Sequence, residues 1–113
     1  MFIAPTFAIS VAALQMSGFD LVNAASKVYS DCTFSYARNN STSPISPEGM
    51  ADAAMAACTN EEGGVRTAMH AYLGQYGPGN PGELDALVEK SIQKNRKQTR
   101  SDLIKFIRHN QSH

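Results

Sequence analysis

Apolar side chains recur at intervals of three and four residues along most of this chain, which is the spacing of an α-helical face. The first such pattern runs from Ala25 to about Asn39 and contains Val28, Tyr29, Cys32 and Tyr36. Alanine dominates the apolar residues of the first half, and alanine favours helix over strand. The pattern therefore predicts an all-α fold.

A second helical pattern follows the breaker stretch NNSTSPIS. Ser46-Pro47-Glu48 supplies an N-cap, a proline at the first helical position and an acidic residue in the first turn. The stripe after it comprises Met50, Ala54, Ala57, Cys58, Glu61, Val65, Met69, Leu73 and Tyr76. Gly63-Gly64 lies inside the stripe, where each glycine costs roughly 1 kcal/mol relative to alanine. Because the stripe keeps its phase, one helix kinked at the pair is predicted, and a break there is the alternative.

A third helix is predicted from Asn80-Pro81 to about His109, after the breaker cluster GPGNPG. Its apolar residues form two patches separated by the polar stretch QKNRKQTRSD. The first comprises Leu84, Leu87, Val88 and Ile92, and the second comprises Leu103, Ile104, Phe106 and Ile107. Three alternatives accommodate the second patch: it packs on the far end of the hairpin of the first two helices, it packs on a second chain, or it belongs to a separate short helix that begins at Ser101-Asp102. A protein partner or homodimer would then use Leu103, Phe106 and Ile107.

Cys32 and Cys58 are the two cysteines of the chain. If the first two helices form an antiparallel hairpin closed near residues 40–46, a rise of about 1.5 Å per residue places both cysteines at a similar level. We therefore predict a structural inter-helix disulfide between them. The alternative, a reactive or metal-binding pair, lacks a CxxC motif and a histidine close in sequence.

The N-terminal run FIAPTFAISVAALQM has the length of the apolar core of a signal peptide and is too short for a membrane span. Val22-Asn23-Ala24 fits a signal peptidase site, so residues 1–24 are predicted to be removed and the protein to be periplasmic or secreted. No Lys or Arg precedes the run. The alternative is a retained first helix packed inward through Phe2, Ile3, Phe7, Val11 and Leu14.

Charge is distributed unevenly, although the 113-residue chain is formally neutral. Residues 25–89 carry three basic and eight acidic side chains, whereas residues 90–113 carry seven basic ones and Asp102 alone.

The predicted domain thus consists of a hairpin at 25–79 and a basic C-terminal helix at 80–113. Its candidate contacts to an anionic surface are Lys90, Lys94, Arg96, Lys97 and Arg100. The competing interpretation is a solvated helix whose cations face the acidic hairpin.

Nucleic acid is disfavoured as the partner of the basic helix, because no aromatic residue interleaves the cations to stack on bases.

For catalysis, no Gly-x-Ser-x-Gly motif is present. His109 and His113 have helical i, i+4 spacing but no third ligand at a metal-binding spacing. We therefore predict no catalytic residue, metal or cofactor.

Tyr29-x-x-Cys32, the Pro47-Glu48 turn and the Ala-Ala-Cys sequence ending at Cys58 resemble small, uncharacterised exported proteins of Gram-negative bacteria. The resemblance covers about residues 27–62 and implies export and a helical hairpin, but no activity. A non-catalytic interaction or structural component of the cell envelope is the predicted function. A small intracellular regulator that binds nucleic acid through its basic helix is the alternative.

Overall fold

Four α-helices contain most of the residues that the computed structural model describes, which are 18–77 and 79–111. They are α1 (Gly18–Asn39), α2 (Pro47–Ala57), α3 (Thr59–Tyr76) and α4 (Pro81–Gln111). These described ranges contain no strand, so the all-α prediction is confirmed. Most of the predicted signal peptide lies outside the described residues, and the predicted cleavage position after Ala24 falls within α1.

Two of the helices begin at the caps that the sequence predicts. The Ser46 hydroxyl accepts a hydrogen bond from the Gly49 N–H at 3.1 Å, and Pro47 follows as the first residue of α2. The Asn80 side-chain oxygen accepts one from the Gly82 N–H at 2.8 Å at the start of α4. These side chains satisfy N–H groups that have no partner within the helix.

The predicted second helix is divided, but not at the glycine pair. Cys58 leaves helical geometry with φ −111° and ψ 31°, so α2 ends at Ala57 and α3 begins at Thr59. A Cβ built on Gly63 or Gly64 would meet nothing within 4 Å, and α3 passes through both residues. The prediction of a kink or break at the glycines is therefore wrong. The interruption lies where Cys58 is bound covalently to α1.

The Cys32–Cys58 disulfide is present, as predicted. It joins α1 to the junction of α2 and α3, with the two Cα atoms 6.1 Å apart. Cys58 is fully buried and Cys32 partly so. Because the bond lies next to the interruption, it ties both α2 and α3 to α1.

The buried residues form two clusters, one on each side of this junction. The first joins α1, α2 and the C-terminal half of α4 through Ala37, Met50, Ala51, Ala54, Leu103 and Ile107. The second joins α1, α3 and the N-terminal half of α4 through Tyr29, Cys58, Val65, Val88 and Ile92. Because the helix is interrupted at Cys58, α2 and α3 pack on different parts of α1 and α4.

The second apolar patch of α4 is used within the chain. Leu103 is fully buried, Ile107 is 5% exposed, and the Phe106 ring packs edge-on against Phe34 with centroids 5.2 Å apart. The predicted partner surface through Leu103, Phe106 and Ile107 is therefore corrected, because these side chains already fill the first core cluster. The proposed separate helix at Ser101-Asp102 is also wrong, since α4 is continuous through these residues.

Among the described residues, no helix is both long enough and apolar enough to cross a bilayer.

Candidate contact surface on the basic helix

The seven cations of α4 separate by residue type. Its three arginines, Arg96, Arg100 and Arg108, form ion pairs with acidic residues of α2 and α3. Its four lysines are exposed and form no ion pair with another described residue; they are Lys90, Lys94, Lys97 and Lys105. The arginines of this basic stretch are thus paired with the rest of the chain, whereas its lysines are exposed and have no ion-pair partner among the described residues.

Arg96 forms the most buried of these pairs. Its Nε donates to Glu62 Oε2 at 2.8 Å and its Nη2 donates to Glu62 Oε1, so the guanidinium and the carboxylate meet in bidentate geometry. The Glu62 side chain is only 7% exposed. A buried carboxylate needs such a partner, because transfer of an unpaired charge out of water is costly. The pair therefore fixes the middle of α4 against α3.

Arg66 extends this pair into a network. Its Nη2 lies 3.9 Å from Glu62 Oε1, and its Nε donates to Glu89 of α4 at 2.9 Å. The hydrogen bond from Arg96 lowers the pKa of Glu62, against the opposing effect of burial. The same bond raises the pKa of Arg96. Both shifts favour the charged pair.

The other two arginines of α4 pair with α2 at the surface. Arg100 Nε donates to Asp52 Oδ1 at 2.8 Å, and this hydrogen bond raises the pKa of Arg100. Arg108 Nη2 donates to Glu48 Oε2 at 2.7 Å. Exposed pairs of this kind contribute little to stability because water and salt screen them, so they align α4 with α2 more than they stabilise the fold.

These pairings change the predicted set of contact residues. Arg96 and Arg100 form ion pairs with Glu62 and Asp52, so their guanidinium groups are less available to an outside surface than the lysine ammonium groups are. Lys90, Lys94 and Lys97 keep their ammonium groups exposed, and Lys105 joins them. We call these four residues the lysine row. The competing interpretation is a solvated helix whose cations face the acidic hairpin; the paired arginines and the solvent-exposed lysines are both compatible with it.

The lysine row follows one edge of α4. Residues 90, 94, 97 and 105 have helical i, i+4, i+7 and i+15 spacing, so they share a face and extend over about 22 Å. Exposed Ser101 occupies the remaining position of the series. A shallow depression of about 350 Å³ lies at the C-terminal end of the row, lined by Lys97, Arg100, Ser101, Ile104, Lys105 and Arg108.

His70 lies beside an acidic residue but, among the described residues, has no serine or threonine partner of the kind that a catalytic histidine would activate. His70 Nε2 lies 3.0 Å from Asp85 Oδ1, on a surface where both side chains are well exposed. Within the described ranges, no serine or threonine hydroxyl forms a hydrogen bond with His70. The pair links α3 to α4 as a surface contact. The histidines with i, i+4 spacing, His109 and His113, cannot be compared, because His113 lies outside the described residues.

One cluster has metal-ligand composition. The sulfurs of Cys32 and Cys58 and a carboxylate oxygen of Glu61 lie within 4.8 Å of one another. The two sulfurs are bonded to each other, however, and a thiolate is the form of cysteine that binds metals. In the oxidised protein this cluster therefore has the donor set of a disulfide and one carboxylate, which is unsuited to a metal ion.

Glu62 is the residue of this region that the sequence pattern missed. Glu61 and Glu62 are adjacent, and both fit the helical spacing between Cys58 and Val65. One feature of the sequence pointed to a buried acidic partner: Arg96 follows Ile92 by four residues and so lies on the same, inward-facing side of the helix. The pattern alone does not say which acid this arginine meets.

Tyr29 lies next to this network in the second core cluster. The side chain is 2% exposed, and its hydroxyl has no hydrogen-bond partner among the described residues. Burial, reinforced by the negative charge of Glu62, raises the pKa of Tyr29. The tyrosine therefore remains neutral beside the ion pair at ordinary pH.

Comparison with protein-family models, with curated proteins and with solved structures gives no match to this chain.

Proposed function

We propose that this protein is an exported, non-catalytic helical protein of the cell envelope that acts by contact with another surface. The observation that supports export most directly is the Cys32–Cys58 disulfide. Disulfides form and persist in oxidising compartments such as the periplasm, and they stabilise small exported domains. The apolar N-terminal sequence supports the same proposal.

The working unit in this proposal is an antiparallel hairpin of α1 with α2 and α3, to which the basic α4 adds a contact surface. The order of contacts supports this arrangement. Tyr29 of α1 shares a cluster with Val65 of α3. Ala37, near the end of α1, shares a cluster with Met50 of α2. The disulfide lies between these two contacts.

The lysine row supports action by contact. Four exposed cations along one helix edge have no pairing role within the described chain. A long row of like charges attracts anionic surfaces and needs no enclosed pocket. An anionic component of the envelope is therefore the kind of partner that we propose.

Subcellular fractionation tests the proposed compartment. The expected result is release of the protein by osmotic shock, with a mass that corresponds to a chain beginning at Ala25. Both thiols should resist alkylation until a reductant is added. An intact chain in the cytosol with freely alkylated cysteines would contradict export.

The intracellular alternative rests on the same lysine row, because rows of lysine also neutralise nucleic-acid phosphates. It requires residues 1–24 to be retained in the cell. Salt-sensitive retention of the cytosolic protein on DNA would favour it. Indifference to DNA at low salt would exclude it.

A further inference from the structure

We propose that the lysine row is a docking surface for anionic phospholipid head groups, which α4 would contact along its length. This inference rests on the proposed function, since it names the partner of the contact surface described there. It starts from the separation of arginine from lysine on α4. The arginines hold the helix in place, and the lysines are left for an outside anion.

The residue type suits a lipid surface. A lysine ammonium is a compact, strongly hydrated charge on a flexible stem, whereas arginine presents a planar fork for bidentate recognition. Lipid phosphates are mobile and offer no fixed geometry, so point charges on flexible stems match them well. The three arginines of α4, which have this fork, are already engaged with Glu62, Asp52 and Glu48.

The shape of the row also suits a plane. It is a single edge on the outside of one helix, about 22 Å long. Leu87 and Ile104 are partly exposed beside it, and Ile104 lines the depression between Lys97 and Lys105. Small apolar groups flanked by lysines are suited to the boundary between head groups and acyl chains.

Nucleic acid and acidic proteins fit the row less well. No aromatic side chain lies among the lysines to stack on bases. A specific protein interface has an apolar or aromatic centre, whereas the centre of this row is Lys97 and Ser101. A fluid anionic surface requires neither feature.

The depression at the end of the row supplies the closest contact. Lys97 and Lys105 line it together with exposed Ser101. Arg100 and Arg108 line it as well, but they are paired with Asp52 and Glu48. Its volume of about 350 Å³ is sufficient for one phosphate head group. We therefore expect Lys97 and Lys105 to contribute more to lipid binding than cations elsewhere on the chain.

Binding to vesicles tests this inference on the full, oxidised chain. Vesicles of equal parts phosphatidylglycerol and phosphatidylcholine are compared with phosphatidylcholine alone, and the neutral vesicles report any contribution from the apolar N-terminal sequence. Each lysine near an anionic surface is worth about fivefold in binding, so Lys97→Gln with Lys105→Gln should weaken binding to the anionic vesicles about 30-fold. Added salt should weaken binding of the wild type as well.

The matched control removes the same amount of charge away from the row. Lys27→Gln with Arg38→Gln alters two exposed cations of α1 and should change binding by less than about threefold, because distant charges are screened. Circular dichroism confirms that both double variants fold. Equal losses in the two would overturn the row as the docking surface, since net charge would then explain the binding.

Other outcomes separate this inference from the proposed function. If the protein is exported but does not bind anionic vesicles, the lipid docking surface is wrong and the proposed envelope function is unaffected. Row-dependent binding to a DNA duplex or to polyglutamate that is tighter than binding to the vesicles, at equal salt, overturns lipid as the partner. Row-dependent vesicle binding by a protein that is intact in the cytosol supports the lipid surface and overturns export.

Discussion

Arg96 and Glu62 form a buried, bidentate ion pair that joins α4 to α3 beside the second core cluster. The Glu62 side chain is almost completely removed from solvent, whereas Arg96 is 39% exposed. Removal of the arginine would therefore leave the carboxylate buried without its main partner. Removal of the carboxylate would leave an arginine that can still reach water. This asymmetry gives the pair a different role from the surface pairs on the same helix.

Arg96→Ala should lower the free energy of unfolding by about 2–4 kcal/mol, because Glu62 would keep its desolvation cost without its main hydrogen bonds. Urea denaturation at neutral pH measures the change. Arg108→Ala is the matched control, since its pair with Glu48 is exposed and should cost less than about 1 kcal/mol. Equal costs for the two variants would contradict the special role of Arg96.

Acidification should remove the contribution of Glu62. Its pKa is lower in the folded protein than in the unfolded chain, so the ionised carboxylate stabilises the fold above an unfolded pKa of about 4.3. That stability is lost as the pH falls through the lower folded pKa. The difference in unfolding free energy between the wild type and Glu62→Gln should therefore shrink as the pH falls below the unfolded pKa. Glu61→Gln is the control, and a similar pH dependence in that variant would contradict the assignment.

Reduction of the disulfide should lower stability by about 3.5 kcal/mol, since the cross-link closes a loop with a sequence separation of 26 residues. Thermal unfolding with and without dithiothreitol measures this loss. Cys32→Ser with Cys58→Ser should match the reduced wild type and be insensitive to dithiothreitol. A reductant effect on the double variant would show that the loss arises elsewhere.

Gly64→Ala should stabilise the protein by about 1 kcal/mol. The residue lies within α3, and a Cβ there would meet nothing within 4 Å, so only the helix propensity changes. Gly49→Ala should give a smaller gain or a loss, because its Cβ would lie 2.8 Å from Ile45 Cγ2 and 3.2 Å from the capping Ser46 hydroxyl. Chemical denaturation of both variants measures the difference. A loss of stability in Gly64→Ala would contradict an uninterrupted helix through the glycine pair.

Leu103→Ala should lower the free energy of unfolding by about 2–5 kcal/mol, because this side chain fills the first core cluster. From the sequence, one alternative was that Leu103 packs against a second protein chain. A residue used for association would instead make the apparent stability depend on protein concentration. Unfolding curves at several concentrations distinguish these cases, and an undiminished stability at every concentration would contradict the core assignment.

The sequence predicted where α2 and α4 begin, because capping depends on residues close together in the chain. It also predicted the disulfide, because the chain has two cysteines. Ser46 and Asn80 cap the residues that directly follow them, and Cys32 and Cys58 had no other cysteine to pair with. The position of the helix interruption was not predictable in the same way. Glycine propensity pointed to Gly63-Gly64, whereas packing on two core clusters placed the interruption at Cys58.

The amino-acid sequence by itself determined the helical class, the cysteine pair and the concentration of cations in the last helix. Tertiary structure alone decided that the arginines of this helix pair with α2 and α3, that its lysines are exposed without such pairs among the described residues, and that Glu62 rather than Glu61 is buried. Spacing and capping act over one or two helical turns, so they can be read locally. Burial and ion pairing depend on which faces of separate helices meet, and neighbouring residues only about 100° apart on a helix satisfy the same apolar pattern.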